Sequence, residues 1–98
     1  MTAIADGRAQ IDALDRRIVA LLAERRRAVD ALARDKAALG LPAVDAGREA
    51  ELRDAWTRAA REEGLPPEVG LAVLDAVLGS SRERVRAIFR GDDPAEER

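Results

Sequence analysis

Three cations, Arg8, Arg25 and Lys36, stand in or beside a stripe of the N-terminal stretch that is otherwise apolar. Ile11, Ile18, Leu32 and Leu39 recur at heptad spacing, and Leu14 and Leu21 fill the intervening core position. Arg25 falls in the Ile11/Ile18/Leu32 register, while Lys36 continues the row of Leu22 and Val29 that Arg8 begins. Charges on such a face are rarely buried without a partner, and no acidic residue lies one turn from Arg25 on that face. An anionic ligand is the expected counterpart. On a helix, Arg25 and Lys36 share one face roughly 16 Å apart, so two long side chains leaning together can flank a small molecule. Arg8 lies about 42 Å from Lys36 along the same helix and cannot serve that pocket within one chain. Antiparallel pairing of two such helices about a twofold axis brings the partner's Arg8 to the far site, which gives equivalent pockets shared between chains.

Arg48 opens a second apolar row with Leu52, Ala55 and Ala59, with Glu49 beside it. Ser81 is the polar member of a third row, Leu71, Leu74, Leu78, Val85 and Ile88. A cavity holding Arg25, Lys36, Arg48 and a borrowed Arg8 suits a small molecule with more than one carboxylate, because arginine forks match carboxylate geometry. These residues include no nucleophile–base pair. Catalysis there must come from positioning and from stabilising developing charge. A unimolecular rearrangement of a polyanion fits that inventory; hydrolysis and group transfer fit it poorly. The bland alternatives are a structural core arginine, a serine bonded to its own backbone a turn back, and a tryptophan, Trp56, that only packs.

The elements that must position these groups are helices. The first starts between Thr2 and Arg8, with Thr2 or Asp6 as cap, and runs to Gly40-Leu41-Pro42. Its length is roughly 50 Å, more than the remaining chain can cover, so pairing with a second copy is expected. Asp45 is the expected cap of a second helix from about Ala46 to Glu63, stopped by Gly64. Proline at the first turn opens a third helix that runs to about Phe89. Arg82, Arg84 and Arg86 read as its solvated face. Gly91 to Arg98 reads as a frayed, disordered acidic tail beyond a domain spanning residues 1–90. The fold class is therefore all-α, three helices with a long first helix, as an intertwined homodimer.

Composition bounds the rest. At 98 residues with 47% apolar and 37% charged residues, the chain is a single globular domain near the lower limit for one core. Cysteine and histidine are absent, which excludes thiol and imidazole chemistry and argues against a zinc site. No metal and no cofactor are expected. A net charge of −2 argues against bulk binding to nucleic acid or to an acidic membrane. Neither a signal peptide nor an apolar run of membrane-spanning length is visible, so a cytoplasmic protein is expected.

The chain resembles the all-helical chorismate mutase family, the AroQ class. The matching segments are Arg8-Ala-Gln-Ile-Asp-Ala-Leu-Asp15, Leu21-Leu-Ala-Glu-Arg25-Arg, Lys36, Asp45-Ala-Gly-Arg48-Glu49 and Ser81, in order and ungapped from about residue 8 to 85. The resemblance implies an intertwined helical homodimer converting chorismate to prephenate without covalent catalysis. By position, Arg25 and the partner's Arg8 bind the two carboxylates, and Lys36 contacts the ether oxygen that gains charge as its bond breaks. Arg48 supports the side-chain carboxylate and Ser81 the ring carboxylate. Glu49 and the backbone at Asp45 hold the ring hydroxyl, and Leu32, Leu52 and Leu78 form apolar walls. One departure stands out. The family usually has glutamine or glutamate at the position of Val85, and valine donates no hydrogen bond. A slow enzyme, one completed by an activating partner protein, or one acting on 4-amino-4-deoxychorismate or cleaving isochorismate are the resulting alternatives. Outside enzymology, the alternative is a helical dimerisation or adaptor module.

Overall fold

Thr2 opens the first helix: its Oγ1 accepts the Ala5 N–H at 3.1 Å, satisfying a donor that the first turn leaves unpaired. The computed structural model describes residues 2–92 as α1 (Ala3–Ala38), α2 (Arg48–Glu62) and α3 (Pro67–Phe89), with no strand among the described residues. The expected all-α class and helix order are those observed. Each helix ends in the same way, on a glycine in the left-handed region, Gly40, Gly64 and Gly91, at φ of 69°, 73° and 78°. In each case the glycine N–H and the next N–H bond back into the last turn, as Gly91 to the Ile88 carbonyl at 3.1 Å and Asp92 to Ala87 at 2.8 Å. Gly91 and Asp92, expected to be frayed, thus form the cap of α3; the rest of the expected tail, residues 93–98, lies outside the described residues.

The start of α2 differs from expectation. Gly47, at φ 87°, is the N-cap, and no side chain caps the helix. Asp45 contributes only its backbone carbonyl, which accepts from the Arg48 N–H at 3.2 Å. The residue instead forms part of the lining of a cavity.

α1 is 36 residues long, about 54 Å at the helical rise, and nearly equals the 56 Å longest dimension of the chain. The radius of gyration, 17.1 Å, exceeds the roughly 13 Å of a compact domain of this size. α3 lies in the middle. α1 and α2 each pack on it and not on each other. The core is correspondingly small: Ala33 from α1, Ala60 from α2, and Leu74, Leu78 and Ile88 from α3. α2 presents Leu52, Trp56 and Ala60 inward, spaced by four, whereas Ala55 and Ala59 of the expected row are exposed. A packing role for Trp56 agrees with its half-buried position. Gly70 of α3 lets α2 approach closely, since a Cβ there would stand 3.4 Å from the Ala60 Cβ.

Ion pairs tie the layers. Arg84 grips Asp30 of α1 through Nε and Nη2 at 3.0 and 2.9 Å, with both side chains under one-fifth exposed. Arg53 of α2 meets Asp75 of α3 at 2.6 Å near the surface. No helix among the described residues is long and apolar enough to cross a membrane.

Candidate active site

Because α1 and α2 meet only through α3, a gap is left between them on one side of that helix. It is a cavity of about 340 Å³ with lining from all three helices and the α1–α2 loop. That volume lies in the range of small-molecule sites. Arg25, Lys36, Asp45, Arg48, Glu49, Leu52, Ser81 and Val85, all singled out from sequence, line it. So do the three leucines of the expected apolar walls, Leu32, Leu52 and Leu78. Arg8 does not. It stands on the exposed N-terminal part of α1, as helical rise requires.

The two central cations are held differently. Arg25 is half-buried and donates from Nη1 to the Ser81 Oγ at 3.0 Å. Ser81 in turn donates its proton to the Val77 carbonyl at 2.9 Å, a turn back in its own helix. The serine therefore does what a bland reading expected of it and also braces the arginine. This neutral bracing leaves the arginine charge uncancelled. Lys36 is half-buried too and has no ion-pair partner among the described residues. Arg48 reaches the Glu51 carboxylate at 3.3 Å, a pair more than half exposed on both sides and correspondingly weak.

Glu49 is engaged by a residue assigned from sequence to a solvated face. Arg82 of α3 donates from Nε at 2.9 Å and from Nη2, one to each carboxylate oxygen of Glu49. These hydrogen bonds hold Glu49 below the ordinary glutamate range; desolvation opposes that and the charges of Arg82 and Arg53 add to it. The same bonds push the Arg82 guanidinium up. Arg86 also lines the cavity. Arg84, the third of the set, is taken up by Asp30 on the α1 side. The solvated-face reading is thus corrected for Arg84; Arg82 and Arg86 are exposed as expected but also border the cavity. A signal was present in the spacing: Arg82 follows Leu78 by four residues and precedes Val85 by three, so it borders two inward positions.

The lining combines apolar walls with five cations, Arg25, Lys36, Arg48, Arg82 and Arg86, against two carboxylates, Asp45 and Glu49. It contains no imidazole or thiol, because the chain has neither. Such a site can bind a compact polyanion, fold it against the walls and stabilise charge that develops on an oxygen. Proton relay by a base near neutral pH has no obvious agent in it. Comparison with curated proteins returns no match. The family model for chorismate mutase type II, in contrast, matches residues 7–86, most of the sequence and every lining residue, and the chain belongs to that family.

Proposed function

We propose that the protein is a chorismate mutase that rearranges chorismate to prephenate by electrostatic preorganisation. The observation that carries this reading is the convergence of Arg25, Lys36 and Arg48 on one cavity walled by Leu32, Leu52 and Leu78. Family membership supplies the reaction class. The rearrangement breaks a carbon–oxygen bond and forms a carbon–carbon bond within one molecule, so no nucleophile or base is required. What the site must do is hold the folded, reactive shape of the substrate and favour the charge that grows on the ether oxygen. Lys36, uncommitted to any other ion pair among the described residues, takes the ether oxygen. Arg25, held by Ser81, takes one carboxylate. Arg48 supports the same side chain of the substrate once it leaves the weak pair with Glu51. Ser81 reaches the ring carboxylate by turning its hydroxyl away from the Val77 carbonyl. Glu49 and the backbone at Asp45 receive the ring hydroxyl.

The second carboxylate needs Arg8 from another copy of the chain. Support comes from the stripe on α1 that no other helix of this chain covers: Ile4, Ile11, Leu14, Ile18 and Leu21 are 45–69% exposed. An apolar face of that extent on a soluble protein marks an interaction surface. Two antiparallel copies of α1 would bury it and complete both sites.

Turnover of chorismate is the test. Incubation should give prephenate, read as phenylpyruvate after acid treatment, well above the buffer rate. Lys36→Ala should lower kcat by a factor on the order of 10²–10³ at unchanged helicity, the usual loss when a donor to developing charge is removed. No acceleration over buffer would overturn the proposal.

A further inference from the structure

The bidentate grip of Arg82 on Glu49 fixes more than the position of a side chain. Glu49 is the carboxylate that would meet the ring substituent of the substrate, a step that rests on the function proposed above. A carboxylate standing alone there would attract a ring ammonium at least as well as a ring hydroxyl. In this chain it does not stand alone. Both of its oxygens already accept from Arg82, which itself lines the cavity. Each carboxylate oxygen has two lone pairs, so one site per oxygen remains for a neutral O–H donor. The charge of Glu49, however, is already matched. An arriving ammonium would find the charge of Glu49 already shared and would face Arg82 directly, with Asp45 as the remaining acidic residue of the lining. Arg48 and Arg86 line the same cavity and add to the positive field.

We propose that Arg82 is a specificity-determining positioning residue, which by sharing the carboxylate of Glu49 makes the site accept a ring hydroxyl and reject a ring ammonium. The competing explanation is a plain surface bridge between α2 and α3, since both side chains are about half exposed. The two explanations part on sign. Arg82→Gln and Glu49→Gln each break the same bridge, so a structural role predicts the same direction of change from both. Under the proposal the directions are opposite. Arg82→Gln leaves a bare carboxylate and draws in the ammonium; Glu49→Gln leaves a bare cation and repels it.

The measurement is the ratio of kcat/KM for chorismate to that for 4-amino-4-deoxychorismate in the native protein and three variants. Arg82→Gln should move this ratio at least tenfold toward the amino compound, mainly through KM. Glu49→Gln should move it the other way. Arg82→Lys, which keeps the charge and loses the fork, should retain most of the native preference. Circular dichroism on each variant separates these effects from unfolding, and should Arg82→Gln not fold, the Glu49→Gln and Arg82→Lys arms decide alone. Parallel shifts in the two glutamine variants, or an unchanged ratio, overturn the assignment of Arg82 while leaving the proposed function standing. Acceleration of neither substrate by the native protein overturns both.

Discussion

The two halves of α1 have the same apolar spacing and opposite fates. From Arg25 onward the helix lies against α3: Ala33 is 2% exposed, Arg25 and Lys36 are half-buried, and Asp30 is clasped by Arg84. Before Arg25, Ile11, Ile18 and Val19 are 57%, 53% and 65% exposed, and every position from Arg8 to Glu24 is open. Periodicity does not distinguish the halves; the reach of α3 does. The chain spends its C-terminal helices on one half of α1 and on the cavity beside it. Its other half offers an apolar face and one misplaced cation, Arg8. The lesson is that heptad spacing declares that a face will be covered without declaring by which molecule.

The largest test of this contrast is complementation. In the proposed pairing each site takes Lys36 from one copy and Arg8 from the other, so Arg8→Ala and Lys36→Ala variants should each be nearly inactive. Unfolded and refolded together, they should recover about a quarter of native activity, because half the dimers are mixed and each mixed dimer has one intact site. No recovery on mixing would return Arg8 to a solvated role. A smaller effect is expected at Val85, on the covered side. Val85→Gln adds a donor beside the cavity and should raise kcat on chorismate by about tenfold to a hundredfold, the inverse of losing such a group. An unchanged rate would show that the existing cations already satisfy the ether oxygen. Smallest is the clasp that holds the covered half. Asp30→Asn should cost about 2 kcal/mol of stability, as for a hydrogen bond to a charged group, measured by denaturant unfolding with kcat little changed. A cost near zero would mean that apolar contacts alone seat α1 on α3.

Much of the fold was legible because punctuation in this sequence is strong. Glycine stops at 40 and 64 and proline at the start of α3 bound the helices wherever the tertiary structure leaves them, whereas Gly91, read as part of a frayed tail, proved to be a third such stop. Asp45 misled because a good capping residue was read without regard to the loop it belongs to; Gly47 supplies the left-handed turn into α2. The lining of the cavity was legible from misplaced polarity, since Arg25, Lys36, Arg48 and Ser81 each interrupt an apolar row. The ion pairs of Arg82 and Arg84 were not legible by the same rule. A helix viewed alone has one inside and one outside, and α3, packed by α1 on one flank and α2 on another, has two insides. The residues that break the rule are those that α2 and α1 reach with a carboxylate, Glu49 and Asp30.

That central placement of α3 also governs how the cavity opens to solvent. With no contact between α1 and α2 among the described residues, the two helices are covers of a book bound along one spine. Near the α2–α3 turn Ala60 sits close against Gly70, and toward the other end of α2 Arg48, Glu49 and, from α1, Lys36 line the cavity between the covers. Clasps of the book are polar and half exposed, Arg82 to Glu49 and Arg53 to Asp75. Water can replace such contacts at low cost. The mouth of the cavity is thus bordered by polar pairs that water can replace, while the buried Leu74 and Leu78 lie along the spine.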